Sequence, residues 1–511
     1  MDKKTVYFLM AVSLTTFGHV ASVKASNDIV EKQKEHRSDI RSWFPEIYSN
    51  PAMQWDRYQY SLNRLSTTYT NSRASLPQKL EDGDKTTVVG GHVDAFLRKK
   101  KVSLWGTAHY TNGKAYHIRN SETTDFDLLY PYVMADTIGG GVSYKETYDF
   151  MGGFAHRKNR WTVGVEGRYT ARLEYRTVDP RPKNLTGYLQ VKAGIGRSEL
   201  FNGTYEGGLS AGFRRYKQTN TLEFYNETSR PTVYHLTGLG MDYYRFRGSY
   251  TSTYYKGQGW DVTMELRPIA PQSGVYAALN YSSLSIENII SDLNELPLTK
   301  LVLRHQGFET GYLYKGQTYA WGVKLTEAYN ERRGIENIFG SAQDNIYPQI
   351  ASGLQYKESQ WNLSGTLLCQ YRPSGTTLYD FSLNQHYRHI RETYAEPWRK
   401  LSSSAQVSTL SLKGMWQTKR LLLQTSVHLD YAWNSRCSMV LNGNINESMI
   451  ASVYHRRAFY SNNRYNAGLR AEADYAVNCY YSLFIVAEWN YAHYMNTERN
   501  NLLRLSIGME F

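Results

Sequence analysis

From about residue 58 to the carboxyl end, apolar and polar side chains alternate almost one for one. Trp161, Val163, Val165, Gly167, Tyr169, Ala171, Leu173 and Tyr175 share one parity, while Glu166, Arg168, Thr170, Arg172 and Glu174 take the other. Leu421, Leu423, Thr425, Val427, Leu429, Tyr431 and Trp433 oppose Gln424, Ser426, His428 and Asp430 in the same way. Tyr465, Ala467, Leu469, Ala471, Ala473 and Tyr475 oppose Arg464, Asn466, Arg470, Glu472 and Asp474. The last segment sets Leu503, Leu505, Ile507, Met509 and Phe511 against Arg504, Ser506, Gly508 and Glu510. A period of two is the mark of a β-strand with one dry and one wet face. Several runs alternate for about 11 to 15 residues, longer than the usual globular strand and long enough to cross a bilayer at a tilt.

Aromatic spacing gives a second measure. Trp361 and Tyr371 share a parity ten residues apart, which is about 33 Å of strand, or about 25 Å of height at a tilt near 40°. That is the height of the apolar band of a membrane barrel, so two aromatic girdles are predicted. Short polar turns are read at Arg98–Lys101, Arg157–Arg160, Tyr314–Gln317, Lys357–Gln360, Gln417–Arg420 and Val477–Tyr480, with fainter ones near Arg197–Gly203 and Ile269–Ser273. Long connections are read at about 117–140, 218–250, 373–402 and 436–460. Short turns at one end and long loops at the other predict an all-β, antiparallel, up-and-down transmembrane barrel of about 14–18 strands. A secreted sandwich or propeller would show a blade motif or a fixed repeat, and neither is present.

The amino terminus adds a predicted export signal at residues 1–25: Lys3 and Lys4, an apolar stretch from Val6 to Ala21, and Val23-Lys24-Ala25 before the cut. Residues 26–54 are then a short periplasmic or hatch segment, with a charged helix over Glu31 to Arg41, and residues 55–511 form the barrel. With 41% hydrophobic residues and a mean hydropathy of -0.56, no ordinary helical membrane protein is expected. Tyr supplies 44 residues, which suits strands and interfacial girdles. The net charge of +13 is spread along alternating strands beside acids, so a wetted lumen and phosphate-rich lipid explain it, and nucleic acid does not. Cys369, Cys437 and Cys479, odd in number and far apart, give no disulfide framework.

The closing alternation ending on Phe511 resembles the carboxyl-terminal signal of bacterial outer-membrane barrels, which the barrel-assembly machinery reads. The resemblance implies an outer-membrane location, a lipid partner and that machinery as a partner. Asn50-Pro51-Ala52, just before Trp55, resembles the Asn-Pro-Ala element of the long-chain fatty-acid transporter family, in which an amino-terminal hatch lies inside the barrel. Length and Tyr content are similar to those of uncharacterised outer-membrane barrels of Bacteroidota. This departs from the fatty-acid transporters and weakens the case for an apolar substrate.

His109-Tyr110-Thr111-Asn112-Gly113 is similar to the His-x-Ser-Asn-Gly motif of outer-membrane phospholipase A, but Thr111 stands at the nucleophile and His109 points inward. No enzymatic activity is expected. His386, His389 and Glu392 are read as a solvated loop and not as ligands; no metal or cofactor is expected. The lumen-lining candidates are Glu166, Arg168, Arg172, Glu174, Asp261, Glu265, Arg267, Arg470, Glu472 and Asp474, either a filling ladder or a selective path. The leading expectation is passive transport, or a channel, for a small solute or hydrophobic ligand, gated by the amino-terminal segment. The alternative is an outer-membrane component that supports secretion, surface assembly or adhesion with a protein partner, and a lipid-modifying barrel enzyme comes third.

Overall fold

The computed structural model describes residues 29–511 except 137–139, 227, 229, 249–251, 270–271, 345, 446 and 496, and the side chain of Ser448. The predicted export signal lies outside the described residues, as do residues 26–28.

Eighteen strands form the wall. The first six are β1 (Leu62–Ala74), β2 (Lys85–Arg98), β3 (Val102–Tyr116), β4 (Val142–Lys158), β5 (Trp161–Arg176) and β6 (Arg181–Leu200). The next six are β7 (Tyr205–Glu223), β8 (Ser252–Pro268), β9 (Gly274–Ile290), β10 (Leu296–Lys315), β11 (Tyr319–Phe339) and β12 (Gln349–Ser374). The last six are β13 (Thr377–Tyr394), β14 (Arg399–Gln417), β15 (Leu421–Leu441), β16 (Arg464–Ala476), β17 (Ser482–Tyr494) and β18 (Arg499–Glu510). Every strand pairs antiparallel with its chain neighbour, and β18 pairs with β1 from Arg64↔Glu510 to Ala74↔Asn500. Closure leaves no sheet edge, the only way a sheet can satisfy its backbone in hydrocarbon.

The outer face is apolar where alternation predicts it. Val163, Val165, Leu363, Leu367, Leu469, Ile485 and Ile507 are all exposed there. Tyr319 stacks on Tyr371 across β11 and β12 at 4.9 Å, and ten residues up the same strands Tyr329 meets Trp361 at 4.7 Å. These two cross-strand pairs mark the two girdles.

Two connections depart from the sequence reading. Lys357–Gln360 is not a turn but mid-strand in β12, and 373–402 is not one long loop but a tight turn at 375–376, all of β13 and a short link at 395–398. Both errors share a cause. The upper parts of β12 and β13 rise above the girdle, where the outward face is wet (Lys357, Ser359, Arg391), so alternation of hydrophobicity vanishes while the strand continues. The total of eighteen falls within the expected 14–18 because one false turn replaced one real one. The connections at 177–180, 291–295 and 495–498 show that the loop end also has tight links.

Phe511 fastens the seam. Its backbone N–H donates to Asn63 O at 3.0 Å, and its carbonyl accepts from Asn63 N at 2.8 Å. Deleting Phe511 should remove both bonds at the lower end of the seam and reduce the fraction of chain that reaches the closed barrel. Heat-modifiable gel mobility of membrane fractions checks this; an undiminished closed fraction would show that the seam does not need the final residue.

Candidate functional site

Residues 29–61 do not stay outside the barrel. Helices at Ile29–His36 and Asp39–Ser42 and two tight turns at Pro45–Ser49 and Pro51–Asp56 fill the lumen at the end that carries the short turns. The wall there is apolar on its inward face. Ile40, Trp43, Phe44, Ile47 and Met53 pack with Tyr276, Ala278, Leu313, Ala320 and Leu368, and Ile29 and Val30 pack with Leu62, Met415, Leu422 and Ala476. Burying that many side chains is the main force seating the hatch.

Asn50-Pro51-Ala52 is the seat itself. The Asn50 side chain caps the following turn by accepting from Ala52 N at 2.9 Å, with Pro51 at the first position. Its amide also donates to Glu265 at 2.8 Å. The seat presses on glycines of two neighbouring strands: a Cβ on Gly164 of β5 would overlap the Pro51–Ala52 peptide, and one on Gly194 of β6 would overlap the Asn50 amide.

Charge fixes the orientation. Arg37 reaches Asp474, Glu510 at 2.9 Å and Glu472 at 3.0 Å, and Arg64 of β1 meets Glu472 at 3.0 Å and Glu510 at 2.6 Å. Gln33, fully buried, donates to Ser482 at 2.5 Å and Glu510 at 2.6 Å. Burial alone would lower the Arg37 guanidinium, but Glu510, Asp474 and Glu472 outweigh it and hold it above its ordinary value. The three carboxylates lie close enough to bind a metal ion together, yet the Arg37 guanidinium sits among them. Across the lumen Arg267 joins Asp56 of the hatch to Glu206 of β7.

The loop end is closed by a lid. Loops 117–141 and 224–251 meet in a small sheet of Met134–Ala135, Tyr234–Gly238 and Met241–Asp242, and the loop 442–463 adds the helix Glu447–Ser461. Tyr130, Leu239, Ile450 and Val453 from these loops pack on Tyr356, Tyr394 and Leu401 of the wall. Arg399, fully buried, donates to the carbonyls of Leu239 at 2.9 Å, Asn442 at 3.0 Å and Asn444 at 2.7 Å, tying two loops to β14. Arg176 pairs with Glu122 at 2.5 Å and Asp136 at 3.0 Å. Burial, then Asp136, hold the Glu122 carboxyl well above its ordinary value against the pull of Arg176.

Between hatch and lid lies a polar chamber. Inward side chains there stay open to solvent: Arg168 is 51% exposed, Arg470 41% and Arg504 44%. His109 bonds Asp94 at 3.0 Å and faces the His92 ring at 5.0 Å. Ser426, His428, Asn362 and Asn384 complete the same tier.

The ten lumen-lining candidates therefore divide by height. Glu265, Arg267, Glu472 and Asp474 hold the hatch. Arg172 pairs with Asp125 of the lid, and Glu174 accepts from Thr124 of the lid and Ser143 of β4. Arg168 on Asp149 at 3.0 Å, Arg470 on Glu472 at 2.5 Å, Asp261 between Lys192 at 2.8 Å and Arg214 at 2.9 Å, and Glu166 on Trp105 at 2.7 Å border the chamber. The sequence reading missed Arg37, Arg64, Glu510 and Arg399, although Glu510 carries a visible signal as an inward acid on the terminal strand. His386 and His389, read as a loop, lie on β13 with opposite parity; His386 faces the lumen, His389 bonds Ser404 on β14, and Glu392 pairs with Arg456 at 3.0 Å.

A family model described as "Family of unknown function (DUF6850)" matches residues 51–511. The chain belongs to this DUF6850 family. No curated protein matches it significantly in sequence. Among solved structures, it is similar to the ferric yersiniabactin uptake receptor FyuA from Yersinia pestis at 7% identity and a TM-score of 0.43, over 85% of this chain and 62% of that one. The chain thus spans less than two thirds of the FyuA length. It is also similar to BauA, the ferric preacinetobactin receptor from Acinetobacter baumannii, at 10% identity and 0.39, over 89% and 80%. For the CymD monoaromatic hydrocarbon channel the values are 10% and 0.32, over 91% of each chain. Likeness at this level carries no ligand from those proteins to this DUF6850 member.

Arg37→Met leaves Glu472 to Arg64 and Arg470, Glu510 to Arg64 and Gln33, and Asp474 with no cation among the described residues, and breaking a buried pair of this kind costs about 3–5 kcal/mol. We expect proteolysis within residues 29–61 to accelerate while the wall keeps its heat-modifiable mobility; unchanged cleavage would show that apolar packing alone seats the hatch. Arg399→Leu strips three carbonyls of a charged donor, each bond being worth about 1.5–3 kcal/mol. It should expose loop 224–251 to protease on intact cells, and a protected loop would count against the clamp.

Proposed function

We propose that the barrel is a gated conduit for a small polar solute across the bacterial outer membrane, caught here with both gates shut. The observation that carries this reading is the tier of half-exposed Arg, His and Asn side chains between two non-covalent inserts. A lumen serving only as a scaffold has no need of an unfilled polar tier, whereas a conduit needs a wet compartment and something movable at each end. Two cavities border the inserts. One of about 450 Å³ lies between the lid and Lys145, Thr147 and Arg172. The other, of about 750 Å³, lies between the hatch and Gln317, Arg372 and Met415.

The fatty-acid transporter reading rests on the three residues Asn50, Pro51 and Ala52 alone. The chamber lining favours a different cargo, since an acyl chain gains nothing from Asn362, Asn384, His428 and Arg470. Selectivity would come from those side chains and not from the wall's width.

In planar bilayers the parent protein should conduct little. Arg399→Leu, which frees the lid, combined with Gly194→Leu, which collides with Asn50, or with Arg37→Met should raise conductance severalfold, and vesicles carrying these doubles should swell faster in small sugars or amino acids. If protease shows hatch and lid both displaced and neither conductance nor swelling rises, the conduit reading fails.

A further inference from the structure

The outward face just above the upper girdle is not uniformly neutral. On β11, Arg333 lies four residues above Tyr329 with the same outward parity, and on β12 Lys357 lies four above Trp361. One register row lower, Arg304 of β10 is paired with Glu331, Glu331 with Ser359, and Ser359 with Arg391 of β13. Three cations on three consecutive strands therefore surround one carboxylate, and Arg391 on the fourth strand lies in the same row, beyond Ser359.

Their geometry is that of a built anion site. Glu331 is nearly buried in the outer surface, with its side chain 7% exposed. Arg333 approaches it at 2.9 Å, Lys357 at 3.2 Å and Arg304 at 3.7 Å. One carboxylate draws three cations together but neutralises the charge of only one, and Arg391 has no acidic partner among the described residues. The cationic heads remain 39–48% exposed on the outward side. Four residues of strand are about 13 Å, or about 10 Å of height at a 40° tilt. That places Arg333 and Lys357 about 10 Å above the aromatic pair, with Arg304 and Arg391 about half as high, in the zone of lipid phosphates, where each cation near a charged headgroup layer adds to binding. On the opposite wall, Glu146 and Lys114 stand above the Tyr110–Tyr148 pair with Lys85 higher up, and among the described residues no shared carboxylate gathers these cations.

We propose that the face formed by Arg304, Arg333, Lys357 and Arg391 binds the phosphorylated headgroup of an outer-leaflet glycolipid. Guanidinium forks at Arg304, Arg333 and Arg391 suit phosphate oxygens, Lys357 adds a point charge, and the Tyr329–Trp361 pair offers apolar support to the acyl chains below. This inference needs the barrel to sit in the membrane with its loop end outward; it does not need transport.

The full-length protein would be purified from native membranes in mild detergent beside Arg304→Gln/Arg333→Gln/Lys357→Gln/Arg391→Gln. A milder Arg333→Gln/Lys357→Gln pair and an opposite-wall control, Lys85→Gln/Lys114→Gln, would be prepared alongside, and heat-modifiable mobility verifies that each is folded. Native mass spectrometry should find phosphorylated glycolipid on the parent and the control, reduced by about tenfold or more in the quadruple variant and partly in the pair. A synthetic diglucosamine lipid bearing two phosphates should raise the parent's melting temperature more than its phosphate-free form does. Equal retention by parent and quadruple variant would overturn the proposal. So would equal stabilisation by the phosphate-free lipid, or the same stabilisation from inorganic phosphate alone, which would mark a free-anion site.

Discussion

Closing eighteen strands into a cylinder creates an interior that the wall cannot fill. Strands about 4.8 Å apart and tilted near 40° enclose a cylinder roughly 35 Å across, backbone to backbone, far more than two opposed side chains can span. Eight-stranded barrels solve the problem with their own side chains; barrels of this size must hold water or an insert. Hatch, chamber and lid are this chain's solution, and most of its buried charge is explained by where those three meet the wall. The bilayer dictates the outer face, and the width dictates everything inside.

The outer face was legible because one physical rule governs it: residues of one parity must be apolar for as long as the strand lies in lipid. Wherever the strand leaves lipid the rule lapses, which is why β12 and β13 were misread above Trp361 and His389. The inner face was less legible because two opposite rules operate along one strand. On β15, Leu422 meets the hatch, Ser426 and His428 face the chamber, and Ala432 lies near the lid end. On β8, Arg267 and Glu265 meet the hatch, Asp261 borders the chamber, and Tyr255 packs under the lid. An inward parity that runs apolar, polar, apolar is thus the written trace of plug, water and cover. Leu313, Leu368, Leu422, Tyr255, Leu284 and Tyr356 carried that signal, but only a known strand register turns it into a position.

The two inserts combine the same forces in different places. The lid rests on aromatic and aliphatic packing, on Arg399 donating to backbone carbonyls, and on the pairs of Arg176 with Glu122 and Asp136, Arg172 with Asp125 and Arg456 with Glu392. The hatch has comparable apolar packing with Arg37 on three carboxylates, Arg267 on Asp56, and Lys413 on Asp39 at 2.7 Å. Exchanging ion pairs for solvated ions loses less than exposing apolar surface does, because water recovers much of the ionic interaction. An insert fastened partly by ions can therefore loosen in steps, one pair at a time, before its apolar cluster is uncovered.

The placement of Arg37 links the hatch to the closing of the barrel. Glu510 belongs to β18, and Arg64, which shares Glu510 and Glu472 with Arg37, belongs to β1; these are the two strands that meet at the seam. Gln33 also reaches Glu510, together with Ser482 of β17. The hatch precedes β1 in the chain, yet its charged anchor is completed only by the final strand. In a sheet open at the seam, β16 and β18 would still present Glu472, Asp474 and Glu510 to Arg37, but Arg64 on β1 would be parted from Glu472 and Glu510. The inward side of the terminal strand thus has a structural task of its own: Phe511 pairs with Asn63 at the seam, and Glu510, shared by Arg37 and Arg64, ties the hatch to both strands that meet there.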